Sequence, residues 1–293
     1  MNNISTASLR RHIVGSDARS LFAPKQLAQL IVILLCALTL KQFYSTANVD
    51  ELRWILAPTT VLVELVNGSR FEFESYAGYI NSERSFLIAA SCAGVNFLLT
   101  AFLMLSLGKL WRDRSRNISW RYIPAALVVA YLTTLIANTV RIVTALRLRR
   151  ISPSVDWLDA NQLHRVEGVI VYFGFLLLLY GASEKMNREV RTASRRTQRL
   201  DDKMASVSEG LLSSLRNLLR TLSFPLLIYY TITLAIPIVN AVWRPGVLAT
   251  DFFGHLLFVL LTPLILVFLI AAFRCYTNHI GQRSTADSTL EVQ

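Results

Sequence analysis

Residues 122–146 read YIPAALVVAYLTTLIANTVRIVTAL, a run of 25 residues in which Arg141 is the only charge. An apolar run of about 17–25 residues is what a helix needs to cross a hydrocarbon core of roughly 30 Å. In lipid such a run takes the helical form, because a helix satisfies its backbone hydrogen bonds within one segment. Five further runs of this kind flank it, at 26–44, 86–107, 166–182, 224–242 and 247–273. The period-2 alternation of an outer-membrane barrel is absent. The chain has 293 residues, 53% hydrophobic and 17% charged, too apolar a mixture for an ordinary soluble domain. The expected fold class is therefore all-α: a polytopic membrane bundle of about six transmembrane helices.

Charge sets the expected orientation. Of the 30 Lys and Arg residues, 20 fall in segments that alternate spans put on one side, namely 1–25, 108–121, 183–220 and the tail, and 8 fall on the other. Lys41 and Arg141 lie within spans. The positive-inside bias places both termini in the cytoplasm, so the net charge of +11 reads as topology and contact with anionic lipid rather than nucleic-acid binding. The first span lacks a small-residue cleavage site and reads as an uncleaved anchor.

Five regions follow. Residues 1–25 form a cytoplasmic segment, 26–182 a membrane core, 183–223 a basic connector, 224–273 a two-helix membrane part and 274–293 a cytoplasmic tail. In the connector, leucines 211, 212, 215, 218, 219 and 222 have helical spacing, as in a helix lying on the inner membrane surface. Within the core, 51–67 is apolar but interrupted by Pro58, which reads as an interfacial or re-entrant segment on the outer side. The three cysteines, Cys36, Cys92 and Cys275, occupy unrelated settings and give neither a disulfide framework nor a zinc pair.

Polar groups inside spans are costly, so they carry the functional information. Cys92, in SCAGVNF (91–97), falls six residues from the outward end of the second span, on the order of 9 Å deep. Asn138 and Arg141, in NTVRI (138–142), lie in the outward turns of the third span. His164 opens the fourth, with Glu167 three residues on along the same helix face. Read singly, Cys92 is a packing residue, Gly94 permits close helix packing, Arg141 snorkels and His164 is solvated. Their common depth is what those separate readings do not predict.

Together they suit acyl transfer. A thiolate is the nucleophile, a histidine moves its proton to the leaving amine, and a fixed guanidinium stabilises the oxyanion. Asn138 would orient Arg141 or donate to that oxyanion. Glu167 would hold the imidazole or a substrate cation. Cysteine acyl transfer needs no cofactor, so none is expected, and no metal. A zinc reading through His164, Glu167 and His255 lacks the H-E-x-x-H spacing. The rival class is a transporter or scaffold in which Cys92 and Arg141 are structural.

SCAGVNF, NTVRI and HRVEGVIVYF (164–173) resemble, in this order, the three signature segments of the exosortase/archaeosortase family, with wording most similar to K-type exosortases over roughly residues 20–182. FFGHLLFVLLTPL (252–264) is also similar to that subtype. The resemblance implies an integral-membrane cysteine transpeptidase of the cell inner membrane that processes exported proteins. Their C-terminal sorting signal would comprise a Pro-Glu-Pro-like motif, an apolar helix and a basic tail. It implies Cys92 as nucleophile, His164 as acid/base and Arg141 as third catalytic residue, with water, a lipid or a glycan as acceptor. Arg147, Arg149 and Arg150, on the outer side against the general charge bias, would attract the glutamate of such a signal.

Overall fold

The first described helix is α1 (Pro24–Thr46). The computed structural model describes residues 24–113, 118–151, 160–195, 222–235, 257 and 259–273. After α1 come α2 (Arg53–Asn67), strands β1 (Phe71–Glu74), β2 (Gly78–Asn81) and β3 (Leu87–Ile88), and a 3-10 turn (Ala90–Ala93). Helices α3 (Val95–Arg112), α4 (Tyr122–Ile151) and α5 (Ala160–Arg195) complete the core. Two shorter apolar helices follow, α6 (Leu222–Leu234), whose last described turn is a π turn, and α7 (Val259–Phe273).

Four helical stretches are long and apolar enough to cross a bilayer: Pro24–Thr46, Ala90–Arg112, Tyr122–Leu148 and Val166–Glu189. The last two expected spans appear only as the shorter α6 and α7, and 236–256 lies outside the described residues. Leu34, Leu35 and Leu38 of α1, Val128, Leu132 and Ile136 of α4, and Phe268 of α7 all face outward. So much outward apolar surface is stable against lipid and not against water. This is a membrane protein.

α3 is the central helix. It packs against α1, α4 and α5, and Leu98, Ala101, Phe102 and Met104 on it are wholly buried. Polar ties bind one end of this bundle. Gln26 Nε2 donates to the Asp113 carbonyl (3.3 Å) and Gln29 Nε2 to that of Ile118 (3.0 Å). Lys109 pairs with Asp113 at 2.6 Å, and Arg112 with Glu184. The expected connector therefore begins inside a helix, since α5 runs on past residue 182 to Arg195 and uses Glu184 to hold α3.

The segment between α1 and α3 differs most from expectation. At 15 residues, or roughly 22 Å, α2 is shorter than a bilayer core. It packs along α4, with Trp54 stacked on Tyr131 (centroids 5.7 Å) and Tyr131 Oη donating to the Trp54 carbonyl at 2.8 Å. A three-stranded antiparallel sheet then corrects the purely helical expectation. Phe71 and Phe73 alternate with Glu72 and Glu74 along β1, the pattern of a strand with one packed face. Gly78 is required there: at φ +129°, a Cβ would lie 2.3 Å from the Ile88 carbonyl oxygen across the sheet.

A second correction concerns 86–94. The expected span does not start at residue 86, because β3 and the 3-10 turn occupy that stretch and α3 begins only at Val95. Gly94, at φ +70°, sits in the left-handed region and breaks the helix there. Cys92 is therefore not deep inside a helix but on the turn that leads into one.

Candidate active site

The Cys92 turn is fastened to α4. Asn138, fully buried, donates from Nδ2 to the Cys92 carbonyl. Its Oδ1 accepts from the Tyr172 hydroxyl of α5 at 2.9 Å. That same hydroxyl accepts from Arg141 Nη1 at 3.1 Å. One phenol thus links the helix carrying Asn138 and Arg141 to α5, and through Asn138 to the cysteine turn. The Tyr172 ring is clamped by stacking on Phe97 of α3, centroids 5.1 Å and planes 20° apart. Cys92 itself is half-buried and free, within electrostatic range of Arg141 and Tyr172.

Two glycines make the close approaches possible. A Cβ on Gly94 would meet Tyr172 Oη at 3.2 Å, Thr134 Cγ2 at 3.3 Å and Asn138 Cγ at 3.4 Å. A Cβ on Gly168 would meet Arg141 Nε at 3.1 Å. The Arg141 guanidinium lies along α5 where that helix has no side chain. Gly94→Ala is accordingly expected to cost about 1–2 kcal/mol for the left-handed backbone alone, and more because Tyr172 and Asn138 are crowded. Thermal unfolding of the purified chain and the rate of Cys92 alkylation check it; unchanged values for both would show that the turn has room to relax.

Of the expected site residues, the structure brings Cys92, Asn138 and Arg141 together. Glu167 is buried and within electrostatic reach of Arg141. His164 stands on α5 one helical turn before Gly168, the residue that abuts Arg141; its imidazole lies outside the described residues. Arg147 is exposed on α4, Arg149 and Arg150 follow it on the same helix with side chains outside the described residues, and His255 and Cys275 lie outside them altogether. The Asn138 amide is engaged by the Cys92 carbonyl and by Tyr172, which in turn bonds Arg141.

Sequence reading missed Tyr172. The signal was present, a hydroxyl in an apolar run four residues beyond Gly168, because a buried phenol needs a polar partner. Lys41, noted only as a charge within a span, donates to Asn96 Oδ1 at 3.1 Å and so ties α1 to the first turn of α3.

No protein-family model, no curated protein and no solved structure matches this chain.

Proposed function

We propose that this chain is a membrane-embedded cysteine peptidase or transpeptidase of the exosortase/archaeosortase type. It would cleave the C-terminal sorting signal of exported proteins at the outer face of the inner membrane, with both chain termini in the cytoplasm. The observation that carries the reading is the Asn138–Tyr172–Arg141 network, which holds the turn bearing a free, half-buried thiol beside a fixed guanidinium. A packing cysteine needs no such frame.

In the proposed reaction, His164 takes the thiol proton and the Cys92 sulfur attacks the scissile carbonyl carbon. The carbonyl oxygen becomes an oxyanion, opposite the positive charge of Arg141 and near the N-terminus of α3, which has no side-chain cap. The tetrahedral intermediate collapses, the C–N bond breaks, and His164 returns the proton to the departing amine. This leaves a thioester that an acceptor nucleophile resolves. Preorganisation matters because a donor already aimed at the developing charge costs no rearrangement during the reaction.

The test uses membranes containing the full chain and a tagged protein carrying a sorting signal. Wild type is expected to shorten the substrate, and the mass of the new C-terminus names the acceptor. An intact substrate after long incubation with folded protein would overturn the proposal.

A further inference from the structure

The sheet has two edges, and they are finished differently. β1 carries Glu72 and Glu74, and its first N–H, that of Phe71, donates to Glu64 Oε1 at 2.7 Å. The Arg53 guanidinium lies 4.4 Å from the Phe73 ring centroid. Charges and side-chain caps of this kind are how proteins blunt an exposed strand edge. β3 has none of them. Residues 85–91 read SFLIAAS, without a charge or a proline; Leu87 and Ser91 are exposed, and Ala89 and Ala90 are half-buried.

The register shows which backbone groups that bare edge presents. Asn81 N–H donates to the Phe86 carbonyl at 3.1 Å, and Tyr79 lies opposite Ile88. Bonded residues alternate in an antiparallel pair, so Phe86 and Ile88 face β2, and Leu87 turns its N–H and C=O away from it. Ala89 continues the extended backbone, at φ −85° and ψ 176°, with its N–H on the same outward side as Leu87. Its carbonyl is already taken by Cys92 N–H at 2.9 Å. Among the described residues, nothing bonds to Leu87 N–H, Leu87 C=O or Ala89 N–H. The edge is thus a donor–acceptor–donor row that ends at the turn carrying Cys92.

We infer that this edge docks the substrate's main chain: the extended segment ahead of the substrate's membrane helix adds to β3 as a fourth strand. This rests on the peptidase reading. In that reading the substrate runs from the outer side into its membrane helix, and β3 likewise runs toward α3, so the added strand is parallel to β3. Leu87 N–H then donates to one substrate carbonyl. The substrate residue two positions on gives its N–H to the Leu87 carbonyl and accepts Ala89 N–H on its own carbonyl. The residues after it come alongside the 3-10 turn, which brings the scissile carbonyl to Cys92. Strand addition takes its affinity from main-chain bonds, so it holds a substrate in register whatever most of its side chains are.

The test reads backbone bonding directly. The full chain with Cys92→Ser, which leaves the peptide uncleaved, is placed in nanodiscs of phosphatidylcholine. A fluorescent sorting-signal peptide without its apolar helix is titrated by anisotropy, alongside derivatives N-methylated at one non-proline residue at a time. Methylating an N–H that faces β3 is expected to weaken binding about fivefold or more, the loss of one backbone hydrogen bond. Methylating the residue on either side, whose N–H faces away, should leave the affinity unchanged. Leu87→Pro removes an outward N–H without breaking the β2–β3 ladder, as an edge position allows. It is expected to weaken the unmethylated peptide by a similar factor, and Leu87→Val to leave it unchanged. Equal tolerance of methylation at every residue, equal loss at adjacent residues, no binding, or wild-type affinity in Leu87→Pro would each overturn the inference. So would disulfide-linked dimers of Leu87→Cys that excess peptide does not disperse, since a second copy would then cover the edge. Position-specific loss with no cleavage of a tagged substrate by the wild-type chain would remove the peptidase reading and keep the peptide edge; cleavage with uniform tolerance would do the reverse.

Discussion

Cys92→Ser is expected to reduce signal processing by about 10³-fold or more, as removal of a nucleophile does in comparable covalent catalysis. A serine at this position keeps the size of the side chain and leaves the backbone bond from Asn138 to the residue 92 carbonyl intact. What it loses is the sulfur, a far better nucleophile near neutral pH than a hydroxyl. Cys36 is the internal control, because it lies exposed on the outer side of α1 beside Leu40 and Trp54 and away from the network. Cys36→Ser should process like wild type. The measurement is the initial rate of substrate shortening at matched protein levels. Processing by Cys92→Ser at the wild-type rate would make Cys92 a packing residue and bring the transporter or scaffold reading to the front.

Arg141→Ala is expected to lower kcat by about 10²–10³-fold, the usual loss when one oxyanion donor is removed, with a much smaller change in KM. Arg141→Lys should recover little of this. The guanidinium is placed by three features at once: its Nη1 bond to Tyr172, its position 5.3 Å from the Tyr172 ring centroid, and the groove left by Gly168. A lysine offers a point charge on a flexible stem and cannot keep that planar geometry. Single-turnover kinetics separate the chemical step from binding. If Arg141→Lys ran at full rate, charge alone would suffice and the frame built by Tyr172 would have another purpose.

How much of this was legible beforehand depends on the range of the interaction concerned. The spans at 26–44 and 122–146 were readable because length and hydropathy are properties of contiguous residues, and α1 and α4 cover them. The sheet at 71–88 was not read, since strands of four and two residues carry little periodic signal and are held by partners across turns. The start of α3 was misread for a related reason. Residues 86–93 are as apolar as a span, and only the left-handed Gly94, locked against Tyr172 and Asn138, shows that the helix begins after them.

The sequence by itself determined that this is a helical membrane protein, and it singled out Cys92, Asn138 and Arg141 as polar groups in places where lipid makes them costly. Those conclusions need only local composition and the energetics of burial. Tertiary structure alone decided how they are joined. It put Cys92 on a turn rather than in a helix, made Tyr172 the link between Asn138 and Arg141, and brought Lys41 and Arg141 into the lining of one cavity. Hydrogen bonds and close glycine contacts between residues 27 to 78 positions apart have no local signature, because their energy exists only once the helices carrying them are packed.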